Sequence, residues 1–177
     1  MQRSDIPVEK FMVPVVRVWD RQWLLLTAGD LDAQDYNCMI VGWGSFGVVW
    51  GKPFAQVFVR PSRYTWEFME KAEGFTLCAF GETHRKVLSY FGSRSGRDED
   101  KVKATGLTPI RSRVVRAPGF QEAELVVECR RTYFDDLEPR HFLDKSIEKN
   151  YPKNDHHRVY FGEIVAISGT PAWQVKE

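Results

Sequence analysis

Two short stretches of this chain carry the residue types that hold a phosphate. Arg60-Pro61-Ser62-Arg63-Tyr64-Thr65 offers two guanidinium groups and three hydroxyls at the mouth of an expected helix, after a strand ending at Val59. Free N–H groups, the positive end of a helix dipole and bidentate donors suit an anion. The same residues also fit a plain structural role, in which Ser62 or Thr65 caps the helix and Arg63 pairs with Glu67. Ser93-Arg94-Ser95-Gly96-Arg97-Asp98-Glu99-Asp100-Lys101 repeats the theme, with hydroxyls and a glycine before a helix cap and a lysine one turn in. One mononucleotide has use for both stretches.

Gly42-Trp43-Gly44-Ser45-Phe46-Gly47 matches the GxGxxG dinucleotide fingerprint letter by letter. That fingerprint needs a helix to open at its third glycine and meet the pyrophosphate. Here Val48-Val49-Trp50-Gly51-Lys52-Pro53 follows, β-branched and then broken by proline, so no helix starts and the dinucleotide reading is rejected. The glycines then mark either a barrel bend or bulge, or a shelf where a planar ring lies against backbone amides between Trp43, Phe46 and Trp50. His156 and His157 are adjacent at a strand start, so their side chains point to opposite faces and they make poor joint ligands for one metal. One of them can face a cleft or simply sit hydrogen-bonded. Ser45 lacks the GxSxG context of a hydrolase nucleophile.

The elements that must position these residues are mostly strands. Short β-branched and aromatic runs, bounded by turn residues, fall at Val13 to Trp19, Trp23 to Ala28, Asn37 to Trp43, Phe54 to Val59, Phe75 to Phe80, Leu125 to Tyr133 and Arg158 to Ser168. Their close spacing predicts a mainly β chain with a few helices, an antiparallel barrel or sandwich rather than βαβ units. Helices are expected over Trp66 to Ala72, from Thr83 to Phe91 with Gly92 ending it, and from Asp98 through Ala104 to a stop near Gly106. A further helix is expected from Pro139, burying Phe142, Leu143 and Ile147.

The chain has 177 residues, enough for one domain over 1–177 to bury a core without disulfides or metal. Its 43% hydrophobic and 28% charged composition is globular, and aromatics reach 14%. A formal net charge of +1 supplies no global field to gather nucleic acid or anionic membrane. Any anion site is therefore local, and the run from Arg94 to Arg116, seven basic residues against three acidic, suggests a positive surface. Cys38, Cys78 and Cys129 stand apart in apolar runs with no CxxC pair, which reads as buried, reduced thiols and not as a zinc site. The first ten residues lack an apolar signal core and no run reaches membrane-spanning length, so a cytoplasmic location is expected.

In order, NCMIVGWGSFGVVWGKPFAQVFVRPSRYT, FTLCAF, SYFGSRSGRDEDK, LVVECR and DHHRVYFGEIV together resemble the flavin reductase-like family of FMN-binding split barrels, especially its flavoredoxin-type members. The resemblance runs from about Val13 to Ile167 and implies a split β-barrel that pairs as a homodimer and holds one FMN per subunit near the dimer interface. Carried onto these positions, it implies that Asn37, Met39, Val41, Gly42, Trp43, Ser45, Phe46 and Gly47 line the isoalloxazine and ribityl chain, and that Phe58, Val59 and Arg60 continue that wall. It places Arg63, Tyr64 and Thr65 on the phosphate side, helped by Ser93, Ser95 and Lys101, and His157 beside the flavin or a nicotinamide. The chain departs from the family's pattern at Val48 and Val49, where a small polar residue is common, and Trp50 adds bulk.

The activity so implied is hydride transfer from NAD(P)H to bound FMN, the chemistry being the cofactor's and the orientation the protein's. No catalytic acid or base is required. Two rivals stand beside it: a flavoredoxin-like electron carrier reduced by a protein partner, and a non-catalytic ligand-binding barrel whose Arg60, Arg63 and Lys101 are surface charges.

Overall fold

Alternation along the strands divides their side chains between two cores. A computed structural model describes residues 2–175. In chain order its elements are β1 (Ser4–Asp5), α1 (Val15–Arg17), β2 (Leu24–Asp30), β3 (Asp35–Val41), β4 (Gly44–Val49), β5 (Lys52–Val59), α2 (Tyr64–Lys71), β6 (Gly74–Ala79), α3 (Arg85–Ser93), α4 (Lys101–Thr105), β7 (Pro109–Ile110), β8 (Gly119–Phe120), β9 (Leu125–Asp136) and β10 (Arg158–Gly169). One antiparallel sheet runs β3-β2-β6-β9-β10-β5-β4, with β1 added to β10, and β7 pairs with β8 apart from it. Leu24 and Leu26 of β2, Val57 and Val59 of β5, Phe75 and Leu77 of β6, and Leu125 and Val127 of β9 share the first core, around which the sheet forms a split β-barrel. The intervening Leu25, Cys78 and Val126 face the other way, onto Leu88 and Phe91 of α3. All three cysteines are buried and free, and burial pushes the Cys38 and Cys78 thiols up to about 12.

Four expectations are corrected. Val13 to Trp19 is not a strand: Pro14 caps α1, which widens into a π-helical turn over Val18–Gln22 and buries Val18 and Trp19. The glycine segment after Gly42 is not merely a bend, because Gly44 opens β4, which pairs along its length with β5. No α-helix follows Pro139; the chain makes two short 3-10 turns, Pro139–His141 and Lys145–Asn150, and Leu143 is wholly exposed. The helix after Thr83 begins at Arg85 and runs past Gly92 to Ser93, while Asp100, not Asp98, caps α4 by accepting from the Lys103 N–H. Gly106 ends α4 in the left-handed conformation. Among the described residues, no helix is long and apolar enough to cross a membrane.

The β4–β5 connection is a two-residue loop, Trp50-Gly51, with φ of 53° and 70°, which is type I′ geometry suited to strand twist. Gly44 has a different reason to be glycine. A Cβ there would stand 2.5 Å from the buried Trp19 ring and against the Gln56 carbonyl. Gly44→Ala is therefore expected to destabilise the fold by about 1–3 kcal/mol through overpacking, measured as a lower urea midpoint with an unchanged slope.

Candidate functional site

The cleft is assembled where the C-terminal half of β3 passes the start of α2 and the loop after α3. Asn37 on β3 donates through Nδ2 to Thr65 Oγ1 at 2.8 Å, a buried bond that ties the strand to the first turn of α2. Arg63 is extended at the N-cap of α2 and no side chain caps that helix; the Arg63 and Trp66 N–H groups bond the Arg60 and Arg63 carbonyls, which leaves those of Tyr64 and Thr65 for an anion. The loop after α3 closes the far side. Arg97 Nη2 donates to Glu67 at 2.6 Å and Nη1 to the Ser62 carbonyl at 3.3 Å, while its guanidinium lies 4.9 Å from the Tyr64 ring. Gly96 lies so close to Asn37 and Tyr64 that a side chain there would collide with both. Between these walls is a cavity of about 380 Å³ lined by Asn37, Arg63, Tyr64, Thr65, Ser93, Ser95 and Lys101, among others.

No carboxylate among the described residues lines this cavity. Arg63 is exposed and makes no ion pair among the described residues. Lys101 is only 5% exposed, and its Nζ donates to the Cys38 carbonyl at 2.7 Å and more loosely to that of Phe91 at 3.4 Å. Burial pulls its pKa below the usual lysine range, and the like charge of Arg63 adds to that effect. The broad positive surface expected between Arg94 and Arg116 is largely cancelled. Arg111 pairs with Asp32, Arg116 with Asp30, Arg113 with Asp5 and Arg97 with Glu67, carboxylates distant in sequence that folding brings alongside. Of the cations that line the cavity, Arg94 lies 3.9 Å from Glu99, while Arg63 and Lys101 make no ion pair among the described residues.

A second cavity of about 210 Å³ adjoins the first across Met39, Ile40 and Arg63 and is walled by Val41, Gly42, Trp43, Phe58, Arg60 and His157. Trp43 is half-exposed and its ring lies 4.8 Å from that of His157. His157 is buried and its Nδ1 is 2.9 Å from the Tyr151 hydroxyl. Burial, helped by the nearby Arg60 charge, drops its pKa to about 4, so the ring is neutral at physiological pH. Arg60 does not face an anion freely: it donates to Asp155 at 2.8 Å and to the Asn150 carbonyl at 2.8 Å, and Asp155 also accepts from Ser62.

Four residues expected at the cleft lie elsewhere. Ser45 bonds to Gln56 on the next strand, Phe46 packs on Phe11 and Trp19, and Gly47 sits against Phe54, all because the segment is paired as β4. Val59 shares the inward face of β5 with Ala55 and Val57, leaving Phe58 to face the cavity. Ile40 and Phe91 join the cavity without having been singled out, Gly96 comes with the second anion stretch, and Tyr151 reaches the site through His157. Gly96 had a signal in its Ser-Gly context, whereas Tyr151 had none. Among the described residues no group of three His, Cys, Asp or Glu gathers as a metal site.

A split β-barrel bearing a cleft with an anion-seeking end and an aromatic, histidine-walled end defines a class of small-molecule-binding barrels. Within it, residues 21–172 match the model of the flavin reductase like domain, and the chain belongs to that family. It is 32% identical over 108 residues to the uncharacterized protein YddH of Escherichia coli (strain K12), a match covering 60% of this chain and 57% of that one, so the chain spans under two thirds of this curated relative. Among solved structures, flavoredoxin from Methanosarcina acetivorans has a TM-score of 0.66 at 23% identity, covering 99% of this chain and 79% of that one. Flavoredoxin of Desulfovibrio vulgaris (Miyazaki F) gives 0.66 at 21%, covering 90% and 73%. An FMN-binding domain of a flavin reductases-like enzyme from Shewanella baltica OS155 gives 0.68 at 15%, covering 95% and 77%.

His157 leaves a stability signature. Because its folded pKa is depressed to about 4 from an ordinary value of 6.5, its contribution is full above the ordinary value and is lost as pH falls through the folded one. The wild-type protein is expected to lose on the order of 3 kcal/mol more than His157→Gln over that interval, read from urea unfolding of both proteins at a series of pH values.

Proposed function

We propose that this chain is one FMN-binding domain that passes hydride from NAD(P)H to the flavin and electrons onward. The observation that carries the reading is the grouping of Arg63, Lys101 and Arg94 on one cavity that no carboxylate among the described residues lines, with an adjoining lobe walled by Trp43, Phe58 and His157. That donor set fits a phosphomonoester at one end and a flat conjugated ring at the other. Arg63, the leading N–H groups of α2, the Ser93 and Ser95 hydroxyls and Lys101 hold the phosphate. Met39, Gly42, Trp43 and Phe58 flank the ring, and His157 stands beside it. FMN, when bound, supplies the two-electron chemistry. The protein orients it, shields one face and places an N–H donor near its edge, and no side chain has to move a proton for a hydride to transfer. Trp50, Tyr133 and Phe161, clustered at 5.7–6.1 Å between ring centroids on the outer face of the sheet, support pairing with a second copy.

Two measurements test this. Arg63→Ala and Lys101→Met are each expected to weaken FMN binding about tenfold to a hundredfold, the loss of a charge-assisted hydrogen bond, by fluorescence titration. Anaerobic addition of NADH and then NADPH to the FMN-loaded protein is expected to bleach the flavin absorbance. Bleaching only by a chemical reductant makes the chain an electron carrier reduced by a protein partner, and failure to retain FMN overturns the assignment.

A further inference from the structure

Among the described residues the Tyr151 hydroxyl has one partner, Nδ1 of His157 at 2.9 Å, and Tyr151 is 3% exposed. A buried hydroxyl that accepted from Nδ1–H would leave its own hydrogen without an acceptor, which is costly in a dry setting. The favourable arrangement has Tyr151 donating to Nδ1. A neutral imidazole then carries its single proton on Nε2. Nε2 makes none of the described hydrogen bonds, and the fully buried unpartnered side-chain atoms among the described residues are the indole nitrogens of Trp19, Trp66 and Trp173. Since His157 lines the aromatic lobe, the reach left to Nε2 is into that lobe.

We propose that Tyr151 is a positioning residue that fixes His157 in the Nε2–H form, so that the aromatic lobe always meets a neutral N–H donor. The inference rests on the proposed FMN site for the identity of the acceptor and not for the hydrogen bond itself. Tyr151 is itself held firmly. The Arg60 guanidinium lies 4.9 Å from its ring centroid, the His156 ring packs on it at 4.4 Å, and Phe142 stacks on it at 6.2 Å with planes 7° apart. Arg60 is in turn locked by Asp155, and Trp43 covers the imidazole from the other side. The charged and titratable groups facing His157 are Arg60, Asp155, Arg63 and His156, and burial together with the arginines favours the neutral ring. Of the acidic residues near this cluster, Asp155 is paired with Arg60 and Glu148 bonds His156 at 3.4 Å rather than His157. A ligand carbonyl or ring nitrogen in the lobe thus meets the same donor across the whole range in which an ordinary histidine would titrate.

The experiment is long-range proton–nitrogen NMR of protein labelled at histidine nitrogens, with and without FMN, using His156→Gln to separate the neighbouring ring. The expected result is one neutral tautomer of His157, protonated on Nε2, between about pH 5 and 8. Tyr151→Phe is expected to move the tautomer ratio about fivefold toward Nδ1–H, the worth of one hydrogen bond. A wild-type proton on Nδ1, or a ratio that Tyr151→Phe does not change, overturns the proposal. Should Tyr151→Phe fail to fold, the wild-type tautomer alone decides. The measurement without FMN separates this inference from the functional one: a protein that shows the Nε2–H form yet binds no FMN keeps the positioning role and loses the flavin.

Discussion

The Lys101 ammonium is taken out of water with no ion pair among the described residues, Glu99 acting on it only from a distance. Its Nζ is held by the Cys38 carbonyl on β3 and, more weakly, by that of Phe91 on α3, so one cation joins the barrel wall, the packed helix and the short helix that carries it. Carbonyl dipoles only partly replace lost hydration. Arg63 across the cavity raises the cost of the charge instead of relieving it. This unsettled charge organises the cleft: an anion placed between the two cations relieves both, and the uncapped end of α2 points its free N–H groups at the same volume. The other lobe reverses this logic. There the titratable group, His157, is kept uncharged, and the arginine that would otherwise compete for an anion is tied up by Asp155.

The barrel positions these two lobes because its long strands settle what faces where. β9 and β10 pair over most of their lengths, with shifts in register at Phe161/Gly162 and Ile164/Ala166, and such bulges sharpen the bend a barrel needs. The segment before β10 brings Tyr151, Asp155 and His157 beside β5 and the start of α2. Glu128 on β9 accepts from the backbone N–H groups of Arg113, Val114 and Val115. That clasp pins the basic stretch against the sheet, where distant aspartates neutralise it.

Much of this was legible in the residues because alternation and turn chemistry are local. Six of the seven expected strands are present: β2, β3, β6 and β9 alternate between the two cores, and β5 and β10 turn alternate residues into the first. Arg63, Tyr64, Thr65, Ser93, Ser95 and Lys101 converge on one cavity as their two stretches suggested. What could not be read was set by partners far away in the chain. Val13 to Trp19 has strand composition, yet Trp19 is held as a plug against Gly44 and Phe46, and tertiary packing overrides propensity. The GWGSFG stretch read as a barrel bend, a bulge or a ring shelf because glycines are poor strand formers, but from Gly44 on, pairing with β5 supplies what its side chains lack. The charge excess between Arg94 and Arg116 was real in sequence and is largely cancelled in space, because counterions for four of its arginines sit at Asp5, Asp30, Asp32 and Glu67.

The Arg97–Glu67 contact has half-exposed partners, 45% and 44% by side chain, and it is the ion pair that fastens the outer wall of the anion-seeking lobe to α2. An exposed pair of this kind contributes at most about 1 kcal/mol and is screened by salt. Ionic strength therefore acts on the cleft twice, by shielding Arg63 and by loosening the wall opposite it. The two effects have the same sign: added salt lowers the attraction for an anion and eases its escape, so residence time falls faster with salt than the attraction between the charges alone would dictate.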